Sequence, residues 1–378
     1  MNRKEISEIR RRIRPERSSI THYYGCYVNS AKEIISYIDE PVALLSAEEN
    51  EKYLKLLKKV LSGTAGKNLM DISFATKQVL DGEEHRLLSQ LRKCALEDAV
   101  LREAFYNNII EALDMDGENY LILMAFDNYD VPSYSKDDEP GDSRDVFRYM
   151  LCGVCPVKSG KAELSYAPEE KRFRNLSEGH IVASPELGFM FPAFDERSAN
   201  IYSALFYSKS SSQIHQEFVD AVFRVAPPMS AGQQREAFSD ALSRSLEKDC
   251  RYEVLQSVHE QLGQCIAEHK ESKSPDTLTL TQDEMEDILE NSGMAPEQLD
   301  SFREICKQEF GEDAELNPAN IINPRRMEIV TPEFKVVVEP QFSHLVQMKV
   351  IEGRKYIMLP ADNGVELNGI SLKIEAEE

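Results

Sequence analysis

Five acidic residues, one histidine and one arginine stand at the ends of predicted strands. Asp127 and Asp130 follow the apolar run YLILMAF, His180 and Glu186 precede GFMF, and Asp195, Glu196 and Arg197 follow it. Carboxylates beside an imidazole and a guanidinium can perform general acid/base hydrolysis or hold a divalent ion, provided the chain brings the strand ends within about 10 Å of one another. Asp127, His180, Glu186, Asp195 and Arg197 are the candidate catalytic set. The competing expectation is that polar residues simply end strands and cap turns.

Cys152-Gly-Val-Cys155 is the one C-x-x-C in the chain. As zinc or redox ligands its sulfurs must converge, yet residues three apart in a strand point to opposite faces, and neither a second C-x-x-C nor a nearby His pair completes four ligands. Buried structural thiols are therefore expected, and no metal or cofactor is predicted. Other motifs fail on spacing. Gly63-Thr-Ala-Gly66-Lys67-Asn68 lacks the first glycine and the Ser/Thr of a phosphate loop and follows a helix. His259-Glu260 has Gly263 where a zincin needs its second histidine, His215-Gln-Glu217 lies downstream of its C-x-x-C, and Cys265 with His269 supplies two ligands at most. Two S-x-x-K matches, at Ser133 and Ser245, lack the helical context of acyl-transfer enzymes. The acidic run Asp137, Asp138, Glu139, Asp142 and Asp145 misses the calcium-loop pattern and reads as a solvated hairpin loop.

The charge distribution offers a different chemistry. Residues 1–20 carry seven Lys/Arg and three Asp/Glu, whereas the chain as a whole has a net charge of −22. An acidic body repels phosphate backbones, so nucleic-acid contact is expected only through the first helix, with Arg10, Arg11, Arg12 and Arg14 as candidates and Tyr23, Tyr24 and Tyr27 available for stacking. Ile6, Ile9 and Ile13 on the opposite face predict that this helix also docks on its own domain.

The elements that must position these residues follow from periodicity. Asn2/Glu5, Ser46/Glu49 and Thr281/Glu284 have the form of capping boxes and predict three helix starts. Extended runs dominate from Asn119 to Ser208 with few helices between them, which favours an antiparallel sheet. Helical periodicity returns over 213–310, where Met229 to Asn317 hold eight Lys/Arg against 21 Asp/Glu, and short strands with Gly turns close the chain. The expected architecture is α+β, with a central antiparallel sheet and flanking helices, an acidic helical region and a small C-terminal β unit. The expected divisions are 1–212, 213–316 and 317–378. The helix pair around Met285 and Phe302 has helix-turn-helix form, but its second helix is net negative and reads as a packing or protein-contact hairpin.

MNRKEISEIRRRIRPE, LSGTAGKNLMDISF, AFDNYDVP, PELGFMFPAFDERSANIYSALFYS, HQEFVDAVF and VLQSVHEQL together resemble a bacterial family catalogued as domain of unknown function 4317, and the likeness runs from Met1 to the last strand. That resemblance implies one full-length architecture and no particular activity. Seven cysteines without framework spacing suit a reducing compartment, and neither a signal peptide nor a spanning segment is evident, so a cytoplasmic location without membrane association is expected. The leading functional expectation is a non-catalytic interaction or regulatory protein with protein partners. A hydrolase built on the strand-end residues is the alternative, and weak nucleic-acid binding through the first helix is a third.

Overall fold

A computed structural model describes residues 1–378 except 135–139, 161–162, 168–170, 177–178, 227, 248–249, 313 and 374–378. The acidic run at 137–139 and residues 135–136 of the Ser133–Lys136 motif lie outside the described residues, as do the side chains of Ser133, Asp142 and Asp145. By contact the chain forms two units, Met1–Gln233 with Pro275–Thr277, and Gln234–Ser274 with Leu278–Glu378.

In the first unit the three-layer arrangement is dictated by central strands whose apolar runs leave neither face polar, YLILMAF in β4 and LGFMF in β9. Main-sheet strands are β1 (His22–Val28), β2 (Ile34–Pro41), β3 (Leu69–Ser73), β4 (Asn119–Tyr134) and β5 (Pro140–Ser159). A hairpin of β6 (Glu163–Ala167) and β7 (Arg172–Leu176) stands apart from the sheet, which resumes with β8 (His180–Val182) and β9 (Leu187–Phe191). Next comes the hairpin of β10 (Ala193–Asp195) and β11 (Ser198–Asn200), and β12 (Ser203–Ser208) completes the set. The order is β2-β1-β4-β5-β9-β12-β3, with β8 also on β5, and every pairing is antiparallel.

Alternate residues of β4 enter different cores. Tyr120, Ile122 and Met124 join Phe105 and Ile109 of α5 (Ala99–Ala112) and Phe218 and Phe223 of α6 (Gln216–Phe223). Leu121, Leu123 and Ala125 join Ile6, Ile9 and Ile13 from α1 (Arg3–Arg12) and its end, and Leu54, Leu57 and Val60 of α2 (Ala47–Val60). A strand covered on both faces needs no polar alternation, hence the unbroken run YLILMAF. Short α3 (Thr76–Asp81) and α4 (Glu83–Lys93) complete the first face, with Leu88 and Leu91 of α4 buried there.

The expected capping boxes at Asn2/Glu5 and Ser46/Glu49 are formed. Two expectations shift. The run LGFMFPAF, whose apolar pattern predicts a single strand, is divided: β9 stops at the cis Phe191–Pro192 bond, and β10 leaves the sheet to pair with β11. The division expected at 212 falls at Gln233, because α6 buries Phe218, Val219, Val222 and Phe223 in the sheet's own core.

α7 (Ala231–Leu246) contributes Phe238, Ala241 and Leu242 to the helical core of the second unit. α8 (Tyr252–Ser272), α9 (Gln282–Asn291), α10 (Pro296–Phe310) and α11 (Pro318–Ile321) supply the rest, including Leu262, Leu289, Phe302 and Ile321. Three two-stranded hairpins follow: β13 (Met327–Val330) with β14 (Lys335–Val338), β15 (Gln347–Ile351) with β16 (Arg354–Met358), and β17 (Val365–Leu367) with β18 (Ile370–Leu372). They share no sheet. A 3₁₀ turn at Pro340–Leu345 anchors them on α8, where the Ser343 carbonyl accepts from the Tyr252 hydroxyl and the Ser343 hydroxyl donates to Glu260 Oε1 at 2.9 Å each.

Candidate functional site

Asp127 is 1% exposed, and its carboxylate is fully engaged. Oδ1 accepts the backbone N–H groups of Ser19 at 2.7 Å and Asn128 at 3.0 Å, and Oδ2 accepts the Tyr149 hydroxyl at 2.6 Å. Burial pushes its pKa up; these hydrogen bonds and Arg12, whose Nη2 is 3.7 Å from Oδ2, pull the other way without overcoming it. Arg12 also donates to the Asn128 carbonyl and lies 4.2 Å from the Tyr129 ring centroid. The tip of the β10–β11 hairpin reaches the same place. Glu196 and Arg197 are the two central residues of a tight turn, both with positive φ, and Arg197 donates to Glu8 Oε2 at 2.8 Å and to the Pro132 carbonyl at 3.0 Å. Tyr129 closes the chain of contacts by donating to Glu8 Oε1. This cluster fastens α1, its following loop and the hairpin onto one end of the sheet.

Asp127 and Arg197 thus share a neighbourhood, but the other candidates are elsewhere. Asp127 pairs with Tyr149 of β5, whereas His180 pairs with Ser159, ten residues along that strand and about 33 Å away in extended chain. Glu186 is bound to Lys209 Nζ at 2.7 Å, and its N–H donates to the carbonyl of Val154, five residues from Tyr149, about 17 Å along the strand. Asp195 accepts from Asn200 inside its own hairpin. The five residues do not form one site.

Cys152 and Cys155 are both 0% exposed and lie in the two opposite cores, as residues three apart in a strand must. Burial raises both thiols, Cys155 to about 12. The intervening Gly153 has a packing role. It pairs with Gly188 across β5 and β9, and a Cβ on Gly188 would meet the Cys152 carbonyl at 2.4 Å and Val60 of α2 at 2.9 Å. Asn68 of the glycine-rich turn donates to the Ser208 and Lys209 carbonyls, so that segment is a structural turn. His259 Nε2 is 3.0 Å from the Asn323 carbonyl, and Ser245 donates to Leu242. Among the described residues no three His, Cys, Asp or Glu side chains gather in a metal-binding arrangement.

On α1 the four candidate arginines separate. Arg12 is consumed by the Asp127 cluster, Arg10 is half-buried, and Arg11 and Arg14 are exposed.

A groove of about 900 Å³ lies beside α2, a feature the linear sequence gave no signal for. Leu121, Val157 and Tyr27 form part of its floor, and Leu56 with Lys52, Lys55 and Lys59 lines its α2 side. These positions repeat at three and four residues, so they share one helix face. His180, Ile181 and Val182 of β8 form part of the rim.

The model for the family described as Domain of unknown function (DUF4317) matches residues 1–370. The chain belongs to this family. No curated protein matches it. The DUF4317 match covers the three-layer unit, the helical core and nearly all of the hairpins, so the hairpins are part of the family's own sequence.

Proposed function

We propose that this DUF4317 protein is a non-catalytic interaction protein of the cytoplasm, and that its partner surface is the run of C-terminal hairpins. One observation carries the reading. Of the twenty-six exposed large apolar side chains among the described residues, fifteen lie between Val330 and Leu372, Phe334, Val350 and Ile370 each being about 70% exposed. Between Met327 and Lys373 only Ser343 and Val346 are buried. A two-stranded hairpin without a core is marginal by itself, and so dense an apolar surface marks a protein-contact site. Met327 to Lys373 also hold five Lys/Arg and six Asp/Glu, so this stretch can approach another macromolecule without the repulsion carried by the rest of the chain. Seven thiols with no disulfide fit a reducing compartment.

The test is the native mass of the full chain expressed in its own host, beside the Phe334→Ser/Val350→Ser/Ile370→Ser variant. The expected result is a complex with the wild type and a single chain with the variant. A single chain in both cases overturns the reading. A second reading, weak polyanion binding by α1, is favoured by exposed Arg3, Lys4, Arg11, Arg14 and Arg17, none of which makes an ion pair among the described residues. The hydrolase reading has no comparable support, since Asp127 is sealed from solvent and His180 and Glu186 lie far along the sheet.

A further inference from the structure

We infer that the groove beside α2 binds a free amphipathic carboxylate: an elongated apolar body with a single anionic end. Its volume of about 900 Å³ falls in the range of small-molecule sites, roughly 300–1,000 Å³. The two ends of the groove differ in charge. At one end Tyr53 stacks on Tyr23, their ring centroids 4.6 Å apart, and Tyr23 pairs with Glu40 of β2. Glu40 and Glu49 therefore mark that end. At the other end α2 passes over the Gly153/Gly188 pair, where Val60 and Pro185 crowd Gly153, so Lys59 lies toward Ser184 and β8. Ten residues of helix, about 15 Å, separate Glu49 from Lys59.

Lys52 is already paired with Glu48 at 2.8 Å, whereas Lys55 and Lys59 are exposed and make no ion pair among the described residues. They supply the anion-binding end in a chain whose net charge is −22. Tyr27 adds a directed donor. The Ser30 N–H donates to Asn119 Oδ1 at 2.9 Å, which fixes the amide so that Nδ2 donates to the Tyr27 hydroxyl at 2.9 Å. The phenolic hydrogen is then left to donate into the groove. Between the two ends Ile38, Leu56, Leu121 and Val157 offer an apolar bed, and the acids at the far end repel a second negative charge.

Calorimetric titration of the full chain with dodecanoate, below its micelle concentration, tests the assignment. Saturable one-site binding is expected, with weaker binding of dodecanol and of dodecanedioate, and the Lys55→Gln/Lys59→Gln variant should weaken dodecanoate about tenfold. Both lysines are exposed, so the fold is not at stake. Absence of saturable binding overturns the assignment. So does equal binding of dodecanol, or dodecanoate binding indifferent to the two lysines. Self-association that protects Lys55 and Lys59 from acetylation and excludes dodecanoate would assign the groove to a second copy instead. The hairpin variant leaves the groove untouched, so failure here is separable from failure of the interaction reading.

Discussion

Asp127 shows how one buried residue can look catalytic in sequence and act as a fastener in the fold. Its carboxylate satisfies two backbone N–H groups and the buried Tyr149 hydroxyl, so Asp127→Ala removes the acceptor of one buried and two part-buried donors and should cost about 1–3 kcal/mol of unfolding free energy. Asp127→Asn keeps an acceptor for the N–H groups and should cost less. The two substitutions also differ in pH dependence. Because burial raises the folded pKa above the ordinary 3.8, the native chain retains a proton that the unfolded chain has already released. The wild type should therefore lose stability relative to Asp127→Asn as pH rises from that value through the raised one, with a constant difference above it. Urea denaturation of both proteins across the acid range measures this; a wild-type advantage that grows with rising pH contradicts it.

Helix α1 illustrates a division of labour on one element. Its isoleucines and Arg12 face the protein, and the remaining cations face away. Arg12→Gln removes the cation beside Asp127 and above Tyr129, and a loss of about 1–2 kcal/mol in stability is expected. The triple substitution Arg10→Gln, Arg11→Gln, Arg14→Gln should cost little stability, the exposed positions 11 and 14 contributing within about 0.5 kcal/mol each and half-buried Arg10 the larger share. If α1 contacts polyanions, that triple variant should lower the salt sensitivity of retention on a single-stranded RNA column, and identical elution would dismiss the contact. Where the capping residues and apolar stripe agree, as here, sequence alone located the helix to within a few residues. It left open which arginine turns inward, since that depends on Asn128 and Tyr129 more than a hundred residues away.

At the scale of the whole molecule, cover is uneven. The central strands of the first unit, β4 and β9 among them, are buried on both faces, while the terminal hairpins expose theirs. Hydrogen exchange on the isolated chain should reflect this, with amides of β4, β5 and β9 slowest and those of Met327–Leu372 exchanging fastest outside turns. Binding of a partner through the hairpins should slow the latter by tenfold or more while leaving the sheet unchanged. Slow exchange of the hairpins in a monomeric chain contradicts a surface awaiting a partner.

Sequence by itself determined the element types, the antiparallel sheet, the capped helix starts and the opposed faces of Cys152 and Cys155, because caps, periodicity and strand alternation are local rules. It also carried the family resemblance, now matched over residues 1–370. Tertiary structure alone decided which strand ends meet. Asp127 and His180 each follow or precede an apolar run, but register along β5 places them ten residues apart, and register is set by pairing across the sheet. The assignment of α6 to the sheet's core was equally non-local. The groove beside α2 was hidden from the sequence for the same reason: its walls come from five strands and one helix, joined only by how the apolar faces of the chain close on one another.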